Sequence, residues 1–262
     1  MERMITPLKL LMDLFLPRVC VVCGRKLNLK ERGLCLYCLA ELPQTFFWES
    51  SRNSMADRFN GLIENGLDGC SGGPSGGCLE KYAYAVALFF YDGKGHYRRI
   101  TQQLKYHADF RLGRDFGRML AHKIEEARHF DDVDVIIPVP LHWTRRWRRG
   151  YNQAEVIARE VADVLKADLR TDILKRSRRT RTQTKVDPAK KLGNVRGAFA
   201  VNMDSLKKAI CGLEEGKTYH VLLVDDVFTS GSTLYNCFLA LRAELPVSVR
   251  ISVATLAFVG GA

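Results

Sequence analysis

The sequence has no apolar run long enough to cross a membrane. None of its 262 residues lies in a stretch of the roughly 18 to 20 apolar residues that a spanning helix needs. Residues 4–16 are apolar, but Lys9 and Asp13 interrupt them and no small-residue cleavage site follows, so they predict an amphipathic helix and not a signal peptide. These absences predict a cytoplasmic protein without membrane insertion.

Acidic residues are in the minority, with 29 Asp and Glu against 40 Lys and Arg and a formal net charge of +11. Residues 138–197 hold 16 Lys and Arg and 6 Asp and Glu, so nearly all of the positive excess lies in one segment. Such a segment suits phosphorylated ligands or nucleic acid, and the alternative is an ordinary solvated basic surface.

The cysteines predict a metal site. Two Cys-x2-Cys pairs, separated by eleven residues, consist of Cys20, Cys23, Cys35 and Cys38. Because the sequence shows no export signal, a metal in a reducing compartment fits better than a disulfide framework. Four thiolates complete a tetrahedral zinc site and leave no open position, which predicts a structural zinc ion. Cys70 and Cys78 are left open, either as extra ligands or as vestigial residues.

Apolar patterns predict an α/β fold with a mostly parallel sheet covered by helices on both faces. Strands are expected in residues 82–91, 133–139, 221–224 and 247–258, and helices in residues 111–127, 152–166 and the segment with Leu234, Phe238 and Leu241. The Gly-, Ser- and Asn-rich stretch 50–78 predicts a loop or linker. The expected division is an N-terminal module at 1–80 and a main domain at 81–262.

The strongest motif runs from Val221 to Thr233. A buried strand ends in two carboxylates, at the position where α/β sheets bind ligands. Adjacent carboxylates suit the vicinal diol of a ribose, and the Ser/Thr/Gly turn that follows offers a helix start and hydroxyls to a phosphate. An ordinary N-capped turn explains only one hydroxyl. The predicted ribose 5-phosphate site consists of Asp225, Asp226, Val227, Phe228, Thr229, Ser230, Gly231, Ser232 and Thr233, with the two acids as catalytic residues.

This motif resembles the signature of type I phosphoribosyltransferases. The resemblance implies a pyrophosphate loop after a second strand, at Val139, Pro140, Leu141 and His142. It also implies a mobile lid over residues 175–197 that excludes water from an oxocarbenium-like centre. The basic and lid residues assigned to this site are Lys105, Arg145, Arg149, Arg179, Arg181 and Gln183. A basic surface loop, a solvated linker and a nucleic-acid arm remain alternatives for these segments.

The chain as a whole resembles the ComF/GntX family. The matching features, in order, are LFLPRVCVVCG at 14–24, LKY at 104–106, PVP at 138–140, RRGYNQ at 148–153, TRTQT at 180–184, NVRGAF at 194–199 and the acidic motif. The resemblance implies a phosphoribosyltransferase-like domain behind a zinc module, and a link to the handling of incoming single-stranded DNA. A glutamine amidotransferase is not expected, because about 80 residues before the main domain cannot hold a glutaminase domain.

The residues and the resemblance together imply two functions. In the first, the protein binds 5-phosphoribosyl-1-pyrophosphate (PRPP) with Mg²⁺ and transfers its phosphoribosyl group to a nitrogen acceptor that the sequence does not identify. In the second, it is a non-catalytic accessory factor that binds single-stranded DNA and works with the helicase machinery of DNA uptake.

Overall fold

The fold is built on a five-stranded parallel sheet. The computed structural model describes residues 17–67, 80–91, 95–106, 109–176, 198–210 and 218–260. Its strands are Ala85–Phe90 (β1), Val135–Pro138 (β2), Asp168–Leu169 (β3), Leu174–Arg176 (β4), Phe199–Val201 (β5), His220–Phe228 (β6) and Arg250–Phe258 (β7). The main sheet has the order β1-β7-β6-β2-β3 with parallel neighbours, and β4 pairs with β5 in a separate antiparallel ribbon. The predicted α/β class is confirmed.

Helices lie on both faces of the sheet. The α-helices of the described residues are Leu36–Ala40 (α1), Ser54–Leu67 (α2), Arg98–Tyr106 (α3), Phe110–Glu125 (α4), Trp143–Arg149 (α5), Gln153–Leu165 (α6), Met203–Ile210 (α7) and Ser232–Arg242 (α8), with 3₁₀ turns at Phe47–Glu49 and Arg128–Phe130. On one face, Phe116 of α4 meets Phe89 of β1 at 6.0 Å between ring centroids. On the other, Phe59 of α2 meets Phe228 of β6 at 6.4 Å.

Helices α4 and α6 approach each other closely because α4 presents glycine at the contact. A Cβ added to Gly117 would lie 3.2 Å from the backbone Cα of Ile157, so a larger side chain would push the helices apart. Leu112, Phe116, Leu120 and Ile124 fill the core face of α4, as their helical spacing predicts.

The central strands are buried on both faces, which explains their continuous apolar sequence. Residues 221–224 of β6 are each at most 2% exposed, and the predicted alternating strand at 247–258 is a strand from Arg250 that is buried from Ile251 to Phe258. Its polar residues have internal partners: the Ser252 hydroxyl lies 2.7 Å from His220 Nε2, and the Thr255 hydroxyl donates to the Ala257 carbonyl at 3.0 Å.

The prediction of a loop or linker for 50–78 is wrong for residues 54–67, which form helix α2. The Asn53 side chain caps the helix by accepting from the backbone N–H groups of Met55 and Ala56, at 3.1 and 2.9 Å. Met55 and Phe59 are completely buried, so packing against the sheet stabilises a segment whose Gly and Asn content disfavours a helix. Through these contacts α2 belongs with the sheet, and the division of the chain near residue 80 stays a prediction.

Candidate functional site

Two loops and the end of a helix meet at the carboxyl edge of the sheet. Strands β2 and β6 are parallel neighbours with Pro138 opposite Val224, and the Val139 N–H donates to the Val224 carbonyl at 2.8 Å. The predicted pyrophosphate loop therefore leaves the sheet at the same level as the acidic pair. Helix α3, which follows β1, ends at this edge as well and carries Lys105.

The two acids make different contacts. Both lie inside β6, which pairs with β7 up to Phe228, and successive strand residues point to opposite faces. Asp226 Oδ2 forms an ion pair with Lys105 Nζ at 2.9 Å. Asp225 Oδ1 instead accepts from the backbone N–H of Asp226 at 2.8 Å. The carboxylates thus leave the strand on opposite sides, one held by a lysine and the other folded along the backbone.

The environment at the sheet edge raises the pKa values of Asp225 and Lys105. Burial, followed by the negative charge of Asp226, raises the pKa of Asp225 to about 7. Burial alone would lower the pKa of Lys105, but the neighbouring carboxylates of Asp226 and Asp225 outweigh it and raise that pKa. Arg149 lies near enough for its charge to oppose this rise. Lys105, Arg149 and the acidic pair thus lie close enough to influence one another electrostatically.

The bend Thr229–Thr233 follows directly and opens helix α8. Gly231 precedes the helix with a φ of +76°, and an added Cβ would lie 2.6 Å from Phe228 Cζ and 2.9 Å from Leu62 Cδ1. Both the backbone conformation and the close packing therefore require glycine. Ser230 and Ser232 face each other with hydroxyl oxygens 2.8 Å apart, and Thr229 and Ser230 are exposed. The bend presents hydroxyls to solvent at a helix start.

Helix α2 supports this bend. The sequence analysis did not predict this support, because it assigned the α2 segment to a loop. Arg58 donates to the carbonyls of Thr229 and Val259 at 3.2 and 3.0 Å, and its guanidinium lies 5.1 Å from the Phe258 ring centroid. Leu62 packs against Gly231. The Asn53 cap and the helical spacing of Met55, Phe59 and Ile63 are local signals that could have indicated the helix.

In the loop Val139–His142, the histidine has a structural contact. His142 is 6% exposed, caps α5, and accepts from the Thr144 N–H at 3.3 Å through Nδ1. Asn152 caps α6 and donates to the Val139 carbonyl at 3.0 Å. The loop is therefore fixed at both ends by side-chain caps, while its backbone stays at the sheet edge.

Helix α5 displays the basic residues of this region. Trp143 and Trp147 are 72% and 87% exposed, one helical turn apart, and arginines occupy four of the other five positions of the helix. Arg149 donates to the Gln153 side chain at 3.2 Å, and Arg145 lies near enough to Arg176 for its charge to lower the pKa of that guanidinium, after burial as the main cause. An exposed aromatic and cationic surface of this kind suits bases and phosphates.

The predicted lid residues Arg179, Arg181 and Gln183 lie outside the described residues. The ribbon of β4 and β5 flanks their segment and brings its two ends together, with Arg176 opposite Phe199. Of the predicted loop at 175–197, the first two residues belong to β4.

The four N-terminal cysteines are positioned to hold a metal ion. Their Sγ atoms all lie within 4.8 Å of one another, and Cys23 and Cys35 are 3.7 Å apart. A tetrahedral site with Zn–S bonds of about 2.3 Å needs sulfur separations of about 3.8 Å, so the donor set fits zinc. Gly24, at a φ of +76°, donates to the Cys20 carbonyl at 2.8 Å and closes the first turn, as its sequence position predicts.

The cysteine module contacts the helix that carries Lys105. Tyr97 Oη, just before α3, donates to the Cys38 carbonyl at 3.0 Å, and Arg99 of α3 donates to the Val22 carbonyl at 2.8 Å. The described residues therefore link the metal-binding cysteines to the sheet edge through one helix. Of the remaining cysteines, Cys237 is a buried packing residue, and Cys70, Cys78 and Cys211 lie outside the described part of the chain.

Comparisons with known proteins show curated relatives along most of the chain. Competence protein F of Haemophilus influenzae is 32% identical over 222 residues, which cover 82% of this chain and 86% of the relative. The DNA utilization protein YhgH of Salmonella typhi is 27% identical over 228 residues, covering 84% and 89%, and that of Escherichia coli K12 is 26% identical over 226 residues with the same coverage. No family model matches the chain. Among the described residues, none of the helices has the length and apolar character needed to cross a bilayer.

Proposed function

Because the chain belongs to the ComF/GntX family, we propose that it binds PRPP at the carboxyl edge of its parallel sheet. We further propose that it transfers the phosphoribosyl group to a nitrogen acceptor. The relatives are named for competence and DNA utilization, and we propose that this chain acts in the same process, in the cytoplasm.

One observation carries this proposal. The β2–β6 register sets the loop Val139–His142 beside the acidic pair and the bend Thr229–Thr233, all at one edge of the sheet. A pyrophosphate on the first loop and a 5-phosphate on the bend would then lie on either side of a ribose above the acids. Parallel sheets bind ligands in this location, and helix starts stabilise phosphates.

Each residue of the edge has a role in the proposed reaction. Asp225 and Asp226 accept hydrogen bonds from ribose hydroxyls, and the backbone and hydroxyls of Thr229–Thr233 hold the 5-phosphate. Lys105 now pairs with Asp226 at 2.9 Å. When the ribose hydroxyls donate to the Asp226 carboxylate, Lys105 and the nearby Arg149 can contact the pyrophosphate. Mg²⁺, when bound with PRPP, would neutralise part of the negative charge of the pyrophosphate.

Catalysis would depend on charge stabilisation at this edge. The bond between ribose C1 and the pyrophosphate oxygen breaks and pyrophosphate leaves with the electron pair. The acceptor nitrogen then bonds to C1 and loses a proton to solvent. Preorganised cations beside the departing oxygens lower the barrier. Arg179, Arg181 and Gln183 remain the proposed lid residues that exclude water.

The metal site is proposed to hold a structural zinc ion. Four sulfurs occupy all tetrahedral positions and leave none for substrate. Through Tyr97 and Arg99 the ion would stabilise the position of α3 and thereby that of Lys105.

A second candidate function is single-stranded DNA binding in DNA uptake, together with its helicase machinery. The observation that favours it is helix α5, on which the exposed Trp143 and Trp147 alternate with arginines. Aromatic platforms between cations bind single strands with little sequence preference. Such binding is compatible with PRPP binding, because α5 follows the pyrophosphate loop and lies beside it.

Calorimetric titration of the metal-loaded chain with PRPP and Mg²⁺ tests the first function. We expect Asp226→Asn to weaken PRPP binding at least tenfold and the exposed Asp163→Asn to leave it unchanged. Incubation with a panel of bases and amines, followed by assay of released pyrophosphate, then tests transfer. Equal PRPP affinity in the double variant D225A/D226A and the wild type would remove the site assignment.

Anisotropy of a labelled single-stranded oligonucleotide tests the second function. Affinity is expected to fall between 50 and 200 mM salt, because phosphate contacts release counterions. The variant R145Q/R148Q should reduce both the affinity and its salt dependence. Salt-independent binding, or none, would exclude this function.

A further inference from the structure

A cavity of about 290 Å³ lies beside the loop that follows β2. Its walls come from the end of β2, helix α5, the start of α6 and strand β4 with the residues before it. The residues that line it do not include Asp225, Asp226 or the bend Thr229–Thr233. The cavity is therefore distinct from the proposed ribose 5-phosphate site.

The charge of the cavity favours an anion. Its lining contains three cations, Arg146, Lys175 and Arg176, and one carboxylate, Glu155. Glu155 forms ion pairs with two arginines: its Oε2 lies 3.6 Å from Arg146 Nη2, and its Oε1 lies 3.6 Å from Arg159 Nη2. The positive excess of the lining is therefore not neutralised by its single acid, and a phosphate would complement it.

Most of the other lining residues are apolar, and Asn152 and Thr171 are the polar exceptions. Pro138, Pro140, Leu141 and Leu174 line one part, and the indole of Trp143 lines another. Trp143 is 72% exposed, so most of its ring surface is open to a partner. An indole beside apolar walls suits a planar ring, which would stack on it and displace water from both surfaces.

We propose that this cavity binds one nucleoside monophosphate unit, with the base against Trp143 and the phosphate on Arg146 and Lys175. The volume lies at the lower end of the roughly 300 to 1,000 Å³ of small-ligand sites, which suits a single nucleotide. The cavity shares Pro140 and Leu141 with the proposed pyrophosphate loop. The nucleotide site goes beyond the proposed PRPP binding because it uses neither the acids nor the bend.

The nucleotide unit has two possible sources, a free mononucleotide or the phosphorylated end of a single strand. Trp147 distinguishes them, because it lies one helical turn beyond Trp143, is 87% exposed and does not line the cavity. A strand that enters the cavity by its end places its next base near Trp147. A free mononucleotide does not reach it.

Calorimetry on the full metal-loaded chain provides the test, with AMP as the first probe. Stacking on an aromatic side chain predicts that Trp143→Ala weakens AMP binding roughly 5- to 150-fold, and that Trp143→Phe retains part of the affinity. Trp147→Ala is the matched control and should leave AMP binding unchanged. Arg146→Gln should weaken it, whereas Arg148→Gln, on the same helix but outside the cavity, should not.

A 5′-phosphorylated tetranucleotide and its 5′-hydroxyl form are the second pair of probes. Tighter binding of the phosphorylated strand than of AMP, reduced by Trp147→Ala, assigns the site to strand ends; binding of AMP alone assigns it to free nucleotides. The proposal is overturned if Trp143→Ala leaves AMP affinity unchanged, or if neither probe binds at millimolar concentration. PRPP titrated into the same Trp143→Ala protein reports separately on the proposed function, which this variant should leave intact.

Discussion

The ion pair between Lys105 and Asp226 predicts a measurable coupling at the sheet edge. Its atoms are 2.9 Å apart, and the side chains are 30% and 13% exposed. At this distance and an effective dielectric constant of about 20, the attraction is about 6 kcal/mol before desolvation. Desolvation of both groups offsets most of it, so the net coupling is expected to be about 1–3 kcal/mol.

Lys105→Met should therefore lower the free energy of unfolding by about 2–3 kcal/mol, because it leaves a largely buried carboxylate without a counter-charge. Asp226→Asn should cost less, and the double variant should recover part of the loss. Urea denaturation of the four proteins at pH 7.5 gives the coupling as a double-mutant cycle.

The pair Lys123–Glu126 at the C-terminal end of α4 is the matched control. Its atoms are 2.8 Å apart and its lysine, at 32%, is about as exposed as Lys105, but its carboxylate is 56% exposed, so its coupling should stay below about 0.5 kcal/mol. The reasoning is refuted if the Lys105–Asp226 cycle gives a coupling no larger than that of the control pair.

Three further predictions concern the bend, the acid and the metal. Gly231→Ala should lower the free energy of unfolding by about 2–4 kcal/mol in a denaturant titration, because it adds a left-handed backbone penalty to a clash with Phe228. Gly150→Ala has a similar φ of +77° and open space around its Cβ, so it should cost only about 1 kcal/mol, and equal losses would contradict the packing argument. Since the folded protein raises the pKa of Asp225 to about 7, the folded state holds a proton that the unfolded state releases above about pH 4. The wild type should thus lose stability relative to Asp225→Asn as the pH rises from about 4 to 7, and parallel stability curves would disprove the shift. Removal of the metal by a chelator should lower the melting temperature, with one zinc per chain released, whereas an unchanged melting curve would exclude a structural ion.

The sequence predicts the strands and helices that have a continuous or periodic apolar pattern. The run 221–224 is a buried strand, and residues 111–127 and 152–166 correspond closely to α4 and α6. These patterns predict the structure because burial fixes which positions are apolar, on one face of each helix and on both faces of the central strands. The cysteine spacing predicts the cluster that could hold a metal ion, because the two cysteines of each pair are only three positions apart in sequence.

Helix α2 carries a local signal, because Met55, Phe59 and Ile63 recur at helical spacing, but the Gly- and Asn-rich composition of the stretch led to the prediction of a loop. Features that depend on distant contacts were not predictable, among them the packing of Phe59 between β6 and α8. The capping contact of His142 depends on where α5 begins. The pairing of Lys105 with Asp226 joins residues more than a hundred positions apart, through a sheet order that the sequence alone does not fix.

A crystal structure of the chain with PRPP and Mg²⁺ would show directly whether the sheet edge binds PRPP. We expect the 5-phosphate within about 3 Å of the backbone N–H groups at Gly231–Thr233 and the pyrophosphate on the loop Val139–His142. We also expect Lys105 to have left Asp226 for the pyrophosphate. PRPP bound elsewhere, with the Lys105–Asp226 pair intact and the bend empty, would contradict the proposed binding at the sheet edge.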